Sequence, residues 1–394
     1  MNGRIYLDNA ATTCLDNRVL EAMMPYMQNN YGNASSLHSF GTKAKQVLED
    51  SRTDLANCMG ASTNEIYFTS GGTESNNWAL KGIAFANRNK GRHIIVSGIE
   101  HDCVLNTCKW LIENDFFVTY LPVDSDGIVD LNSLKKVINP KTILVSVMHA
   151  NNEIGTIEPI EEIGQICSYY KINFHSDACQ SFGKIPLDVN KAGIDLLTIN
   201  SHKIYGPKGV GALYIRKGTH IAPLLHGGGQ EDGLRSSTEN IPGIVGFARA
   251  AELCLENMEY EASRQLKLRN KISDFLFENF ENAYINGSIR NRLPGHLNFS
   301  FHGMEGETIR LLLLLDEMGI AVSAGSACSS NDKTNNSSHV LQAIGLNPFE
   351  ARGAIRVSLG RFTTEMELDD FFDALNKVIN SLTSIFSNQS LIQN

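Results

Sequence analysis

The stretch EIYFTSGGTESNNWALKGIAFANRNKGRHIIVS, residues 65–97, decides the fold class. Two short apolar runs, Glu65–Thr69 and His93–Ser97, flank a helix-like segment, Thr73–Ala86. Both runs are rich in β-branched or aromatic residues without polar alternation, which is typical of strands buried on both faces. The order strand, helix, strand therefore predicts a mainly parallel sheet covered by helices.

The same alternation continues to about residue 216. Five more apolar runs predict further strands of this sheet, at Phe117–Leu121, Thr142–Met148, Lys171–His175, Leu196–Ile199 and Gly211–Ile215. After Pro242, one long helix-like stretch from Ile244 to about Phe280 leads to a smaller α+β unit. We expect a large domain at residues 15–258 and a small domain formed by residues 1–14 and 259–394.

The composition is that of a globular protein of two or three domains. The chain has 394 residues, of which 42% are hydrophobic and 20% are charged, and this excludes the disordered class. A net charge of -9 argues against direct binding of nucleic acid. The 8 cysteines form no CxxC pair and are too sparse for a disulfide framework, and the first residues lack the apolar core of a signal peptide. We expect a cytoplasmic protein without structural zinc or a membrane segment.

Polar residues stand at the ends of the predicted strands, where open α/β sheets bind ligands. Gly71 and Gly72 with Thr73 precede a helix, and such a turn lets backbone N–H groups and a hydroxyl hold a phosphate. A plain helix cap fits these residues equally well. His101 follows the next strand, at a position where a packed histidine is commoner than a catalytic one.

Asp177 and Lys203 follow two later strands. An acid at a buried strand end needs a cation or a donor beside it, and a partly desolvated lysine amine is a nucleophile. A single lysine is more often a solvated surface residue. Taken together, however, the phosphate cradle, His101, Asp177 and Lys203 meet the requirements of pyridoxal 5′-phosphate (PLP): an anion site, a ring to stack on, a partner for the pyridine nitrogen and an amine for the aldehyde.

Ten stretches between residues 6 and 367 resemble the cysteine desulfurases of the NifS/IscS type in the class V aminotransferase family. The most specific are SHKIYGPKGVGALYIRK (201–217) and GSACSS (325–330), and others are YLDNAATT (6–13), TSGGTESNN (69–77) and HSDACQSFGKIP (175–186). The resemblance implies PLP-dependent fold type I, which is aspartate-aminotransferase-like, with a mainly parallel sheet in the large domain and a smaller α+β domain.

The resemblance also implies a role for each matching residue. Lys203 would hold PLP covalently, His101 would exchange protons with the substrate thiol, and Cys328 would receive the sulfur. The implied cofactor contacts are Gly72, Thr73, His101, Asn152, Asp177, Gln180, Asn200, Ser201, His202, Lys203 and, from the partner subunit of a homodimer, Thr238. The implied contacts to the substrate α-carboxylate are Asn33, Asn152 and Arg356. No resident metal is implied, and a transient contact of Cys328 with an iron–sulfur cluster is left open.

The implied activity removes sulfur from L-cysteine, giving L-alanine and a persulfide on Cys328 that passes to an acceptor such as an iron–sulfur scaffold or a tRNA-thiolation protein. The polar segment Gly325–Ser338 around Cys328 favours a reactive thiol. A selenocysteine lyase, an aminotransferase, a small-amino-acid epimerase and a non-catalytic sulfur-relay protein are the alternatives. Ala34, Glu158 and Asn200 stand where relatives more often have proline, glutamine and serine.

Overall fold

The computed structural model describes residues 3–324 and 337–392, with side chains up to Thr383. Within them the strands are β1 (Ile5–Tyr6), β2 (Ile66–Thr69), β3 (His93–Ser97), β4 (Phe117–Leu121), β5 (Thr142–Ser146), β6 (Asn173–Asp177), β7 (Leu196–Asn200), β8 (Gly211–Ile215), β9 (Ala283–Ile285), β10 (His296–Phe301), β11 (Ile320–Ala321), β12 (Ser323–Ala324) and β13 (Ile355–Ser358). The helices are α1 (Asn17–Gln28), α2 (Ser39–Asn57), α3 (Gly72–Asn87), α4 (Asp102–Glu113), α5 (Leu131–Val137), α6 (Ile160–Tyr170), α7 (Ile241–Glu256), α8 (Met258–Asn279), α9 (Thr308–Glu317), α10 (His339–Ala343) and α11 (Glu365–Ile392). None of the helices in this part of the chain is long and apolar enough to cross a membrane.

A seven-stranded sheet in the order β2-β8-β7-β6-β5-β3-β4 forms the larger unit. β8 is antiparallel to its neighbours β2 and β7, and the other neighbours pair in parallel, which confirms the mainly parallel sheet. Leu196 and Leu197 of β7 are both fully buried, in two different apolar clusters. Because successive side chains of a strand point to opposite faces, both faces of the sheet are covered.

Three expectations from the sequence differ from the structure. Asp177 is the last residue of β6, whereas the predicted strand ends at His175. β4 is the edge strand and Phe117 is 71% exposed, so this strand is not buried on both faces. The predicted long helix is two helices, because the chain leaves helical geometry at Asn257, whose side-chain amide donates to the carbonyl of Leu253.

The smaller unit is built on an antiparallel sheet in the order β12-β13-β10-β9. Its apolar core includes Leu276 of α8, Phe299 of β10, Leu315 of α9 and Phe371 of α11. Leu7, which follows β1, joins this core because β1 pairs in parallel with β11. The domain boundaries given above stay a prediction.

A fourth group of apolar residues joins the two units. Ile99 and Ile154 from the strand ends of the large sheet pack with Val340 and Leu341 of α10 and with Ala354 just before β13. This cluster fixes the small unit against the carboxyl ends of the parallel strands, the edge at which ligands are expected.

Glu158 is buried between α6 and the sheet edge, with 2% of its surface exposed. Its Oε2 accepts a hydrogen bond of 2.9 Å from the Val129 N–H, and its Oε1 has no partner in the described residues. Burial raises the pKa of Glu158 to about 8. The folded protein therefore holds a neutral carboxyl here near pH 7.

We expect Glu158→Gln to stabilise the protein more at pH 8 than at pH 5. Between the unfolded pKa near 4.5 and the folded pKa of about 8, only the folded wild type keeps the proton. Its free energy of unfolding therefore falls, relative to that of the variant, by roughly 1.4 kcal/mol for each pH unit as the pH rises through this interval. Urea unfolding of both proteins at several pH values measures the difference.

The control is Glu162→Gln, which changes an exposed acid in the first turn of α6. This variant should differ from the wild type by the same small amount at every pH. If the difference in free energy of unfolding between Glu158→Gln and the wild type did not change with pH, this would contradict a neutral Glu158 in the folded protein.

Candidate active site

A cavity of about 480 Å³ lies at the carboxyl ends of the parallel strands, where the small unit meets the large one. Ten of the residues singled out in the sequence line it: Gly72, Thr73, His101, Asn152, Asp177, Gln180, Asn200, His202, Lys203 and Arg356. They come from the start of α3, from the segments after β3 and β5, and from the last residues of β6 and β7 with the segments that follow, and Arg356 comes from β13. The topology thus brings residues that lie up to 284 positions apart, from Gly72 to Arg356, to one place.

Three other candidates, Ser201, Asn33 and Thr238, do not line this cavity. Ser201 is fully buried beside it, and its hydroxyl has no hydrogen-bond partner among the described residues. Asn33 and Thr238 are exposed, and the Asn33 side chain accepts hydrogen bonds from Ser35. Cys328 lies outside the described residues, so its predicted role is not addressed by the structure.

Asp177 is the buried acid of the cavity, with 5% of its surface exposed. Its Oδ1 accepts a hydrogen bond of 2.9 Å from the Cys179 N–H, and its Oδ2 accepts one of 2.6 Å from the Asn76 amide. Burial alone would raise the pKa of Asp177, but these donors outweigh burial and the pKa is lowered. Asp177 is therefore an ionised carboxylate facing the cavity.

His101 caps the N-terminus of α4. Its Nδ1 accepts a hydrogen bond of 3.2 Å from the Cys103 N–H and lies 3.1 Å from the Cys103 sulfur. Burial, reinforced by the charge of Lys203, lowers the pKa of His101, so the ring is neutral at pH 7. Because Nδ1 is an acceptor, the hydrogen of the neutral ring is on Nε2. The helix cap thus fixes the tautomer that His101 presents.

The N-terminus of α3 also faces the cavity. Gly71, at φ 152°, is the N-cap and offers no side chain to accept from the first N–H groups of the helix. A Cβ on Gly72 would lie 2.7 Å from the Cys179 sulfur, so a side chain is excluded there. Unpaired N–H groups at the positive end of the helix dipole form an anion site, to which Thr73 adds a hydroxyl.

Lys203 lies in the turn that follows β7. No carboxylate or hydrogen-bond acceptor of the described chain contacts its ammonium group, which leaves the amine free to meet a ligand. Behind it is a second, smaller cavity of about 30 Å³ that Lys203 shares with Lys184. Burial, together with the charge of Lys203, lowers the pKa of Lys184 to about 8.

Arg356 is the cation that the small unit contributes to the cavity, and 4% of its surface is exposed. One guanidinium nitrogen donates to the Asn152 carbonyl at 2.9 Å, and another donates to Asp8 Oδ1 at 2.7 Å. The third nitrogen, Nε, is buried and has no partner among the described residues. Each terminal nitrogen also keeps a second N–H, and a carboxylate is the ligand that suits these guanidinium donors best.

Several further polar atoms around the cavity are buried without a hydrogen-bond partner in the described residues. They are Asn76 Oδ1, Gln180 Oε1, Asn200 Oδ1 and Ser201 Oγ. Buried polar groups are nearly always paired in folded proteins. A cluster of unpaired ones at a cavity indicates a site built for a polar ligand.

Sequence reasoning missed several residues of the cavity: Asn76, Cys103, Glu153, Ser338 and His339. Ser338 donates to Glu153 at 2.5 Å, and His339 Nε2 lies 3.0 Å from the Glu100 carbonyl, so both fix the start of α10 at the cavity. Burial raises the pKa of Glu153. Asn76 and Glu153 fall within motifs of the resemblance, which is the signal that could have identified them, whereas Ser338 and His339 have no comparable signal.

Known proteins resemble this chain over nearly its whole length. The family model for class-V aminotransferases matches residues 5–371. The chain is 50% identical over 385 residues to the cysteine desulfurase IscS of Dictyoglomus turgidum, which covers 98% of this chain and 97% of that protein. It is 48% identical over 384 residues to the cysteine desulfurase IscS of Methanosarcina thermophila, with 98% and 94% covered.

Solved structures show the same relationship. A NifS-like protein superposes with a TM-score of 0.89 at 43% identity, covering 96% of this chain and 99% of that one. The structure described as SspA in complex with cysteine superposes with a TM-score of 0.80 at 39% identity, covering 91% and 100%. These neighbours confirm the expected α/β architecture of PLP-dependent fold type I. The chain is a member of the class-V aminotransferase family and, within it, of the cysteine desulfurases.

Proposed function

We propose that this chain is a PLP-dependent cysteine desulfurase, which takes sulfur from L-cysteine, releases L-alanine and carries the sulfur as a persulfide on Cys328. One observation carries the proposal: Lys203, the ionised Asp177 and Arg356 line the same cavity. An amine, an acid and a carboxylate-binding cation in one cavity are what amino-acid chemistry on a bound aldehyde requires. The match to SspA in complex with cysteine supports L-cysteine as the substrate.

The residues present fit PLP. Its phosphate would take the N-terminus of α3, with Thr73 and the Asn200–His202 segment beside it. Asp177, held as a carboxylate, would hydrogen-bond a protonated pyridine nitrogen. The unpaired Oε1 of Gln180 is available for the ring hydroxyl. When bound, PLP supplies an electron sink for negative charge at the substrate Cα.

The chain's own residues would bind and position the amino acid. Arg356, with Asn152 beside it, would hold the α-carboxylate. Lys203 would hold the cofactor and move the Cα proton, since no group of the described chain occupies its amine. His101 presents Nε2–H and is neutral at pH 7, so it can exchange a proton with the substrate thiol. Cys328 would attack the sulfur.

A homodimer is part of the proposal. Thr238 is exposed in the single chain and does not line its cavity, so it would contact the phosphate only from a second copy of the chain. The surface near Asn33 is apolar: Met27 of α1 is 58% exposed, Tyr31 is 72% exposed and Leu37 is 100% exposed. An exposed apolar surface of this kind is typical of a subunit interface.

The persulfide would pass to a sulfur acceptor, either an iron–sulfur scaffold or a tRNA-thiolation protein. The relatives' name, IscS, supports an acceptor in iron–sulfur assembly. We place the reaction in the cytoplasm, because the seven cysteines of the described residues are free thiols, as expected in a reducing compartment.

The first test is product analysis of the purified protein with PLP, L-cysteine and a reductant. We expect alanine and sulfide in equal amounts from the wild type, and one added sulfur on the Cys328 peptide by mass spectrometry. Lys203→Ala should lose both the visible absorbance of bound PLP and the turnover. Cys328→Ser should keep the absorbance and lose desulfuration of cysteine.

The control is Cys14→Ser, which changes an exposed cysteine that does not line the cavity. It should keep absorbance and turnover. Alanine formation from cysteine at the wild-type rate by Cys328→Ser would refute the nucleophile. Turnover of selenocysteine alone, unaffected by the loss of Cys328, would indicate a selenocysteine lyase instead.

A second test concerns Asn76. Asn76→Ala removes the 2.6 Å hydrogen bond to Asp177, one of the donors that lower the Asp177 pKa. A hydrogen bond to a charged group contributes roughly 1.5–3 kcal/mol, so PLP should bind about tenfold more weakly or worse. The Asp177 pKa rises in the variant, so the loss should grow as the pH falls. Absorbance titration of apoprotein with PLP at pH 6 and pH 8 measures both effects.

Asn77→Ala is the matched control for this titration, because the Asn77 amide donates to the Thr73 carbonyl within α3 and does not contact Asp177. Its affinity for PLP should exceed that of Asn76→Ala at both pH values. Equal affinities of wild type and Asn76→Ala would mean that Asp177 does not depend on this donor.

The third test addresses the dimer. We expect the wild type to sediment as a dimer, and Leu37→Asp to sediment as a monomer that retains less PLP. Burying an unpaired carboxylate in an apolar interface is costly. Met366→Asp, at a 73% exposed position on α11, should remain dimeric. A monomeric wild type with a full complement of PLP would refute the dimer.

A further inference from the structure

The N-terminal segment holds Asp8 beside Arg356. Residues 7–10 run along Ser358, the last residue of β13, and are bound to it repeatedly. The Ser358 N–H donates to the Leu7 carbonyl at 2.7 Å, the Asn9 N–H donates to the Ser358 carbonyl at 3.2 Å, and the Ala10 N–H donates to the Ser358 hydroxyl at 2.8 Å. In this pairing Asp8 lies opposite Ser358, and Arg356 is two residues before Ser358 in β13. The backbone of Asp8 is therefore held close to Arg356.

The Asp8 side chain is the counter-ion of Arg356. Of the acids in residues 3–324 and 337–392, Asp8 is the one in ion-pair contact with this guanidinium, at 2.7 Å. The side chain of Arg356 is 5% exposed and that of Asp8 is 19% exposed, so the pair is largely shielded from solvent. A buried arginine without a counter-ion would be strongly unfavourable, and the pair also fixes the direction of the guanidinium.

Two anchors determine which N–H groups of Arg356 remain free. The Asn152 carbonyl accepts from one terminal nitrogen and Asp8 accepts from the other, so the second N–H of each terminal nitrogen and the Nε–H have no partner among the described residues. A guanidinium held by one anchor can rotate about its long side chain and turn these N–H groups away. Two anchors hold the guanidinium plane, so that the remaining N–H groups keep their direction.

We propose that Asp8 is a positioning residue for substrate recognition: it holds Arg356 so that the remaining N–H groups of the guanidinium meet the α-carboxylate of the amino acid. Asp8 does not line the cavity and acts only through Arg356. It thereby sets the preference of the site for α-amino acids over amines that lack a carboxylate. The inference rests on the proposed function, since it assigns Arg356 to the substrate.

Two variants separate position from charge. Asp8→Asn keeps an oxygen that can accept from Arg356 but removes the negative charge, whereas Asp8→Ala removes both. If Asp8 acts by positioning, Asp8→Ala should raise KM for L-cysteine about tenfold or more with kcat changed less than about threefold. Asp8→Asn should stay within about threefold of the wild type in both constants.

Equilibrium binding gives a readout that does not depend on turnover. Calorimetry of the holoenzyme with L-alanine, which carries the carboxylate but no thiol, should show weaker binding to Asp8→Ala than to wild type or Asp8→Asn. Ethylamine, which has the amine and no carboxylate, should not distinguish the three proteins. The melting temperature of each protein is measured alongside.

The control variant is Asp316→Ala, because Asp316 pairs with Arg4 at an exposed position of the small unit. It should match the wild type for both ligands. Equal alanine affinities in wild type and Asp8→Ala would overturn the inference. So would a loss as large in Asp8→Asn as in Asp8→Ala, or one that affects ethylamine equally, because Asp8 would then act through charge or overall stability. A wild type that binds alanine but makes none from cysteine would refute the proposed function and leave the comparison of variants intact.

Discussion

The site depends on one buried negative charge, that of the Asp177 carboxylate. Asp177 stands at the end of a buried strand, where desolvation favours the protonated acid, and two N–H donors reverse that preference. Glu100, close to it and fully buried, shows the opposite outcome. It accepts one hydrogen bond, from the Met148 N–H, and burial together with the charge of Asp177 raises its pKa well above the usual value. The number of donors thus decides which of the two acids is ionised.

The N-terminal segment ties this acid to the rest of the cavity. After Leu7 it leaves the small unit, and the Ala10 carbonyl accepts a hydrogen bond of 2.9 Å from Gln180. Farther along, the Thr13 hydroxyl donates to the His202 carbonyl at 3.0 Å and accepts from the Tyr205 N–H at 2.8 Å. A short stretch of chain therefore holds residues proposed for the ring, for the phosphate and, through Asp8, for the substrate. Movement of the small unit against the large one would disturb all of these contacts together.

The sequence predicts the sheet well because its strands are short apolar runs that are separated by helices. Polar residues directly follow several of these runs, so they lie at the ends of the strands. β3 and β4 therefore have the predicted bounds. It does not predict that β4 is an edge strand, since exposure depends on strand order and not on the run itself. Nor does spacing show that Asp8 meets Arg356, because 348 residues separate the pair and only the finished register of β13 brings them together.

Some residues of the site stand in a recognisable sequence motif, whereas others are identified only by their packing in the folded chain. Lys203 stands in a distinctive turn, and a reader of the sequence can single it out. Lys184 stands in no comparable turn, yet it lines the same small cavity as Lys203. Burial, together with the charge of Lys203, lowers the pKa of Lys184 to about 8. Two amines in one cavity, with no acid of the described chain in ion-pair contact with either, repel each other when both are charged. The protonation of Lys184 must therefore respond to the charge of Lys203 and to any anion that enters the larger cavity.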